Sequence, residues 1–498
     1  MRLRPLAQRD GDAAGTRRQA ARWTVALLAA TAMSGCALTT KPLTLSTAVP
    51  GTWASPDAAA GVSVLRENRD VSSWWRQLND PMLADLVDKA LAANLDVRGA
   101  QARLRQARAR RGLAGKDLLP SVNGSVSGNT GKTSGDSSSP ARTLFDAGLD
   151  ASWEPDIFGG VRQAVNAAQA DAEASEADFY STSVSLAGEL AVNYIDLRAY
   201  QAKLTIASEN LARQTETLQL ISWRAQAGLA SDLDVEQSRT NVEQTRALIP
   251  AIETGIAQAE HRLAILIGQP PAALHEVLSV PAPIPSAPDR VVIGIPADTL
   301  RQRPDVRAVE RRLAAATARL GEAESARYPA FRLSGSFGVQ SVATAGLALA
   351  QNVTQSLLAG LTAPIFDRGR IRKQIEIQTA AQEEALASYE QTILTALEDV
   401  ENAITSLSGT RRRRVSLTAA VQSARNAAQL ARDRYIAGLV SYQTVLDTER
   451  SVLTVEESLT STTAEGTSAL VRLYKALGGG WTPPQAADTG THQKSEAL

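Results

Sequence analysis

The chain has 498 residues, 52 basic and 52 acidic side chains, one cysteine and only 4% aromatic residues. Balanced charge argues against nucleic acid as a partner, and a single cysteine excludes any disulfide within the chain. Few aromatics beside abundant alanine suit closely packed long helices better than a compact globular core.

Residues 1–35 read as an export signal. Arg17, Arg18 and Arg22 precede an apolar run from Trp23 to Met33 that is too short to span a membrane. The run ends Met33-Ser34-Gly35-Cys36, a lipobox pattern with Cys36 as the lipidated residue. Six arginines and two acids precede Cys36, so the remainder carries a net charge near −4. Ala37 follows the cysteine. An aspartate there favours inner-membrane retention in bacterial lipoproteins, so its absence points to the outer membrane.

Residues 36–73 are rich in Pro, Ser, Thr and Gly and read as a lipidated tether. Asp80-Pro81 starts a short helix, and Asn94-Leu95-Asp96 opens an Arg- and Ala-rich one over about 95–117. The period then changes from helical to two. Phe145, Ala147, Leu149, Ala151 and Trp153 alternate with Leu144, Asp146, Gly148, Asp150 and Ser152. Phe331, Leu333, Phe337 and Val339 alternate with Arg332, Ser334, Ser336 and Gln340, and Val353, Leu357, Ala359, Leu361 and Ala363 mostly with Asn352, Thr354, Ser356 and Thr362. A weaker, glycine-broken segment surrounds Val122 to Val126. Each is about ten residues, the length of a tilted membrane-spanning strand, and together they form two hairpins. The polar connection Asn129 to Arg142 reads as an exterior loop.

Long proline-free helical patterns run over about 160–222 and 369–434. Tyr180, Val184, Ala187, Ala191 and Tyr194 stand at 4-3-4-3 spacing, and Tyr389, Ile393, Ala396, Val400 and Ala403 repeat it 209 residues later. That heptad seam makes supercoiled rods of roughly 90–100 Å. Shorter partners return over about 231–267 and 441–477.

The turns between these helices match. Arg224, Gly228 and Ser231 recur at the same spacing as Arg434, Gly438 and Ser441. The glycines permit reversal and the serines stand as N-caps. With further matches (Pro120 and Pro329, Leu266-Ile267-Gly268 and Ala476-Leu477-Gly478) this is a domain-scale tandem duplication. The first repeat covers 74–270, with a β-hairpin at about 118–154 and an α-hairpin at about 156–268. A Pro-rich linker, 271–298, leads to the second repeat, 299–480, with a β-hairpin at about 329–366 and an α-hairpin at about 367–477. The tail, 481–498, is polar and reads as disordered.

No catalytic arrangement, metal-ligand spacing or cofactor motif is visible. His261, His275 and His492 lie far apart in sequence, and Gly478-Gly479-Gly480 leads into Trp481 and prolines, not a phosphate-cradling helix. The run Arg411 to Arg414 reads as a solvated helix face. Four amphipathic strands cannot close a barrel alone, and open edges are not tolerated in lipid, so several chains must combine if the strands span.

The lipobox at Cys36 joins Trp74-Trp75 with Asp80-Pro81, Leu300 to Arg307 (LRQRPDVR), Ala363-Pro364-Ile365-Phe366-Asp367, the turn Arg434 to Arg450 and Leu473 to Gly478. In this set, covering nearly all of residues 36–481, the chain resembles the outer-membrane efflux channels of the TolC class, specifically the OprM/NodT-type lipoproteins. The resemblance implies a mainly α fold with a membrane β-barrel portion: a homotrimer with a twelve-stranded barrel among outer-membrane lipids and a periplasmic tunnel of coiled α-hairpins. It implies a non-enzymatic exit duct for small molecules, working with a periplasmic membrane-fusion adaptor and an inner-membrane pump of the RND type. Tyr435, Asp447 and Arg450 fall on the closing residues, with Asp447 and Arg450 free to pair within or between chains, and Gln237 replaces the aspartate in the first repeat. The adaptor would dock on the two tips: Arg224, Gly228, Leu229 and Ser231 with Arg434, Gly438, Leu439, Val440 and Ser441. Both arginines would donate to the partner's carbonyls. Two alternatives remain: a type I secretion duct for polypeptides, and a structural coiled-coil lipoprotein without a pore.

Overall fold

The computed structural model describes residues 48–54, 62–64, 71–131, 142–286, 288, 291–293, 295–344 and 347–481. The export signal, Cys36, most of the tether, His492 and the tail beyond Trp481 lie outside the described residues. Two compact units emerge, and each draws on both repeats. One takes Gln106–Ala172 and Arg311–Leu386; the other takes Leu45–Arg105, Glu173–Glu310 and Ala387–Leu498.

The first unit is built on one antiparallel sheet of four strands: β2 (Ser121–Gly131), β3 (Arg142–Trp153), β5 (Ala330–Thr344) and β6 (Leu347–Thr362). The order is β2-β3-β5-β6, so the two hairpins are joined through β3 and β5. The glycine-broken segment is a full strand of eleven residues, because β3 supplies the ladder its side chains do not. The register places Val122 opposite Ala151 and Leu149 opposite Phe337, so the apolar side chains share one face. Phe145, Leu149, Phe337, Leu357 and Leu361 all stand exposed there. The other face is polar and linked across strands. Ser121 meets Ser152 at 2.9 Å, Ser336 meets Ser356 at 2.8 Å, and Gln340 donates to Asp146 at 2.9 Å. Gln355 on the apolar face and Leu358 on the polar one break the alternation.

The second unit is helical. A 3-10 turn, Trp74–Leu78, and α1 (Pro81–Ala93) bury Trp74, Leu78, Leu83 and Leu86. Trp74 stacks on Tyr474 at 5.7 Å between ring centroids. Asp80 caps α1 through the Leu83 amide at 2.9 Å and also accepts from the Tyr194 hydroxyl at 3.0 Å. The motif residues Trp74 and Asp80 are therefore core and cap. Helix α2 (Leu95–Lys116) follows. The long helices are α3 (Gly160–Gln226) and α8 (Arg370–Ile436), each of 67 residues. Their returning partners are α4 (Asp232–Leu266) and α9 (Tyr442–Ala476). The heptad positions Val184, Ala187, Ala191 and Tyr194 are buried, as are Ile393, Ala396, Val400 and Ala403.

The linker is more structured than its composition suggests. Pro271–Leu274 is a 3-10 turn and α5 (His275–Leu278) a single turn, and together they bury Leu274 and Leu278. Two three-residue strands, β1 (Val62–Val64) and β4 (Val291–Ile293), pair in parallel, joining the tether to the linker. Helices α6 (Pro296–Gln302) and α7 (Pro304–Ser325) open the second repeat. Asn94 and Arg303 occupy equivalent places with different chemistry. The Asn94 amide donates to the Leu266 carbonyl at 2.9 Å; the Arg303 guanidinium donates to the Ala476 carbonyl at 3.2 Å. Burying Arg303 requires its partners Asp305 at 2.7 Å and Asp399 at 2.9 Å, and its guanidinium holds the Asp305 carboxyl below the usual range against the cost of burial. Among the described residues no helix is long and apolar enough to cross a membrane.

Candidate functional site at the helix tips

Both tips lie in the helical unit. Helix α3 ends in a Schellman turn: Gly228 N–H donates to Ala225 O at 2.9 Å and Leu229 N–H to Arg224 O at 2.8 Å. Helix α8 ends identically, with Gly438 N–H to Tyr435 O at 3.0 Å and Leu439 N–H to Arg434 O at 2.8 Å. Each glycine has φ +74°, which L side chains rarely adopt. The helices that follow start differently. Ser231 and Asp234 form a reciprocal capping box, at 3.2 and 3.1 Å. Ser441 holds the N-cap position of α9, but its hydroxyl caps no amide and lies 3.4 Å from that of Thr444. Thr444 stands where the first repeat has Asp234, and a threonine hydroxyl does not reach back as a carboxylate does.

The tips are joined by Arg224. Its Nη1 donates to the Ile436 carbonyl at 3.2 Å, and its guanidinium lies 5.1 Å over the Tyr435 ring. Arg224, expected above to donate to a partner, thus uses one donor and its ring-facing side within the chain. Arg434, by contrast, is exposed. Val440 also departs from expectation, packing with Ala230 and Val235 against a small core of Ile221, Ala431, Tyr435, Tyr442, Val445 and Leu446. Leu229 and Leu439 remain exposed, at 68% and 73%. Trp223, Leu233 and Ile436 are exposed near them and were not singled out in the sequence. Large apolar residues flanking a glycine turn were the signal available.

Of the proposed closing residues, Tyr435 is buried against Tyr442, ring centroids 5.5 Å apart, and its hydroxyl has no partner among the described residues. Burial raises both phenols, that of Tyr442 to about 12. Asp447 and Arg450 are exposed and do not pair with each other. Asp447 accepts from Gln443 at 2.9 Å, while Arg450 Nε donates to Asn241 of α4 at 3.2 Å. Three-residue spacing put them on one face, but Gln443 and Asn241 lie nearer to each.

Behind the tips runs a polar ladder that periodicity alone did not show. Tyr442, Glu449 and Glu456 of α9 stand at heptad spacing between α3 and α8. Glu449 accepts from Arg432 at 3.2 Å and Thr217 at 3.4 Å. One heptad on, Glu456 accepts from Arg425 at 2.7 Å and Asn210 at 3.5 Å. A cavity of about 360 Å³ lies alongside. Burial raises the Glu449 carboxyl above its ordinary range, although Arg432 opposes the shift. Among the described residues no cluster of His, Cys, Asp or Glu fits a metal ion, and His275 is engaged with Glu260 at 2.8 Å.

These features accord with known proteins. The profile described as outer membrane efflux protein matches residues 86–269 and 295–479, one match per repeat. The chain is 35% identical to the pyoverdine export outer membrane protein OpmQ of Pseudomonas putida, over 89% of this chain and 94% of that one. It is 32% identical to nodulation protein T of Rhizobium leguminosarum bv. viciae, over 84% and 86%. The solved outer-membrane channel OprN superposes with a TM-score of 0.81 at 35% identity, covering 89% of this chain and 99% of that one. CusC superposes with a TM-score of 0.76 at 26% identity. An amphipathic sheet with long duplicated α-hairpins, matched across nearly nine-tenths of its length, assigns the chain: it belongs to the outer membrane efflux protein family.

Proposed function

We propose that this protein is the outer-membrane exit duct of a tripartite efflux system, carrying small molecules delivered by an inner-membrane pump through a periplasmic adaptor. The observation that carries the reading is the four-stranded sheet with one apolar and one polar face and no partner for its outer strands among the described residues. In a bilayer each unsatisfied backbone group on those edges costs several kcal/mol, so the sheet must close with others. Three chains give the twelve strands of the family's barrel, with the polar faces lining the passage. Names of relatives support a small-molecule cargo: one exports pyoverdine, and another is the solvent efflux pump protein SrpC of Pseudomonas putida.

In this reading Cys36 carries the lipid. Asp447 and Arg450, which make no ion pair among the described residues, close the periplasmic end by reaching neighbouring chains, and a ring of Asp447 draws cations to the mouth. Arg434, Leu229 and Leu439 present the adaptor contact. The test is conductance of the purified trimer in planar bilayers. Asp447→Ala with Arg450→Ala is expected to raise single-channel conductance, and a folded trimer with unchanged conductance refutes the gate. Leu229→Trp with Leu439→Trp is expected to abolish adaptor cross-linking while leaving the trimer inserted. Undiminished cross-linking places docking elsewhere.

A further inference from the structure

The segment between the two repeats runs as a strap over both α-hairpins. After the single turn α5 its backbone is gripped from α3. The Leu278 carbonyl accepts from the Gln201 amide at 2.7 Å, and the Val280 carbonyl from the Arg198 guanidinium at 2.9 Å. Further along, the Pro285 carbonyl accepts from the Thr467 hydroxyl of α9 at 3.1 Å. Amide, guanidinium and hydroxyl donors keep their protons across the ordinary pH range, so these grips do not titrate.

The start of the strap is held differently. Across 269–277 the one side-chain hydrogen bond to another element, among the described residues, joins His275 Nδ1 to Glu260 Oε2 of α4 at 2.8 Å. Glu260 is 3% exposed, and its Oε1 is buried with no partner among the described residues. The His275 side chain, by contrast, is 70% exposed. A carboxylate taken out of water therefore has a single partner, and that partner stands in water. Burying the carboxylate is costly unless a charge answers it. An imidazolium answers it; a neutral imidazole still donates from Nδ1 but brings no charge.

Among the described residues the neighbouring cations are engaged elsewhere. On α3, Arg198 is directed to Tyr194, Gln201 and Val280, and Lys203 lies over the Tyr200 ring. On α4, Arg262 pairs with Glu189, and His261 is exposed. Pro271–Leu274 carries no titratable side chain, and Glu276 beside His275 is a second acid. Glu260 raises His275 above its ordinary value of 6.5, first through the hydrogen bond and then through its charge, and Glu276 adds a smaller push.

We propose that His275 and Glu260 form a pH-sensitive clasp that fastens the start of the strap to the first hairpin, set when the imidazole is protonated and loosened when it is not. A histidine whose native value is raised lends stability that is complete below 6.5 and is lost as pH rises through the raised value. The clasp therefore weakens on alkalinisation. Opening is confined to 269–277, because the grips on Leu278, Val280 and Pro285 remain. The clasp lies within one chain and does not depend on the channel reading.

The test uses the full-length protein in detergent. Deuterium exchange at the ring carbon of His275, read by mass spectrometry across pH, gives its midpoint. That midpoint is expected above 6.5 in the parent and shifted back toward it in Glu260→Gln. Amide exchange over 269–277, corrected for the intrinsic effect of pH, is expected to quicken by more than about threefold between about pH 6 and about pH 9. His275→Gln keeps a donor without a charge at an exposed position, and is expected to exchange at the alkaline parent's rate at both pH values. A parent midpoint at the ordinary value overturns the pair. A raised midpoint with equal amide exchange in the parent and His275→Gln at both pH values overturns the clasp.

Discussion

Replacing Arg432 by alanine tests whether the polar ladder holds the tips together. Glu449 is 8% exposed, and among the described residues Arg432 is its one charged hydrogen-bond partner. Thr217 shares the same carboxylate oxygen, and the other, Oε2, is buried without a partner among the described residues. Stripping the guanidinium leaves a buried carboxylate held by one hydroxyl. Breaking a buried pair costs about 3–5 kcal/mol, and the lower end applies because the Arg432 side chain is 31% exposed and partly screened. The readout is amide exchange by mass spectrometry over the start of α9, which reports local opening directly. A loss of about 3 kcal/mol is about 140-fold faster exchange. The pH dependence has a definite sign. Burial raises the native carboxyl above its ordinary value of 4.5, so the charged form is the one disfavoured in the fold. Its penalty is full above the native pKa and disappears as pH falls through the native value toward 4.5. The Arg432→Ala defect is therefore expected to shrink on acidification, and Glu449→Gln in the same background is expected to restore protection near neutral pH. Exchange within about threefold of the parent, or a defect that grows on acidification, would show that Glu449 is not the group left unpaired.

The two tips should respond unequally to the same substitution. Ser231→Ala removes a capping box and is expected to cost about 1 kcal/mol, whereas Ser441→Ala, whose hydroxyl caps no amide, is expected to change exchange of α9 by less than about 0.3 kcal/mol. Gly438→Ala has room for its Cβ, so only the left-handed backbone is strained, at about 1–2 kcal/mol. Exchange around residues 434–439 reads that loss. Arg224→Ala is expected to loosen both tips together, because its guanidinium holds the Ile436 carbonyl and the Tyr435 ring. Faster exchange in the first tip alone would refute that link.

Much of the architecture is legible in the sequence because its causes are local or periodic. Four-three spacing from Tyr180 to Tyr194 buries one helical face whatever lies against it. Period-two alternation from Phe145 to Trp153 separates two faces of a strand. Gly228 and Gly438 end helices because a backbone at φ +74° favours glycine. The duplication is visible because equal sequences meet equal local demands. Tertiary structure decided the rest. Arg224 and Arg434 stand at matched spacing, yet one is committed and the other exposed, because only the first meets the Ile436 carbonyl, 212 residues away. Asp447 and Arg450 share a helical face but face different neighbours. Val440 turned inward because a small core that includes Ile221 of the first hairpin gave it an apolar wall. Glu449 and Glu456 read as ordinary helix acids until α3 and α8 close around them with Arg432 and Arg425. Periodicity gives the face a residue occupies; which charge, carbonyl or apolar wall it meets there depends on which neighbouring helix the fold lays against that face.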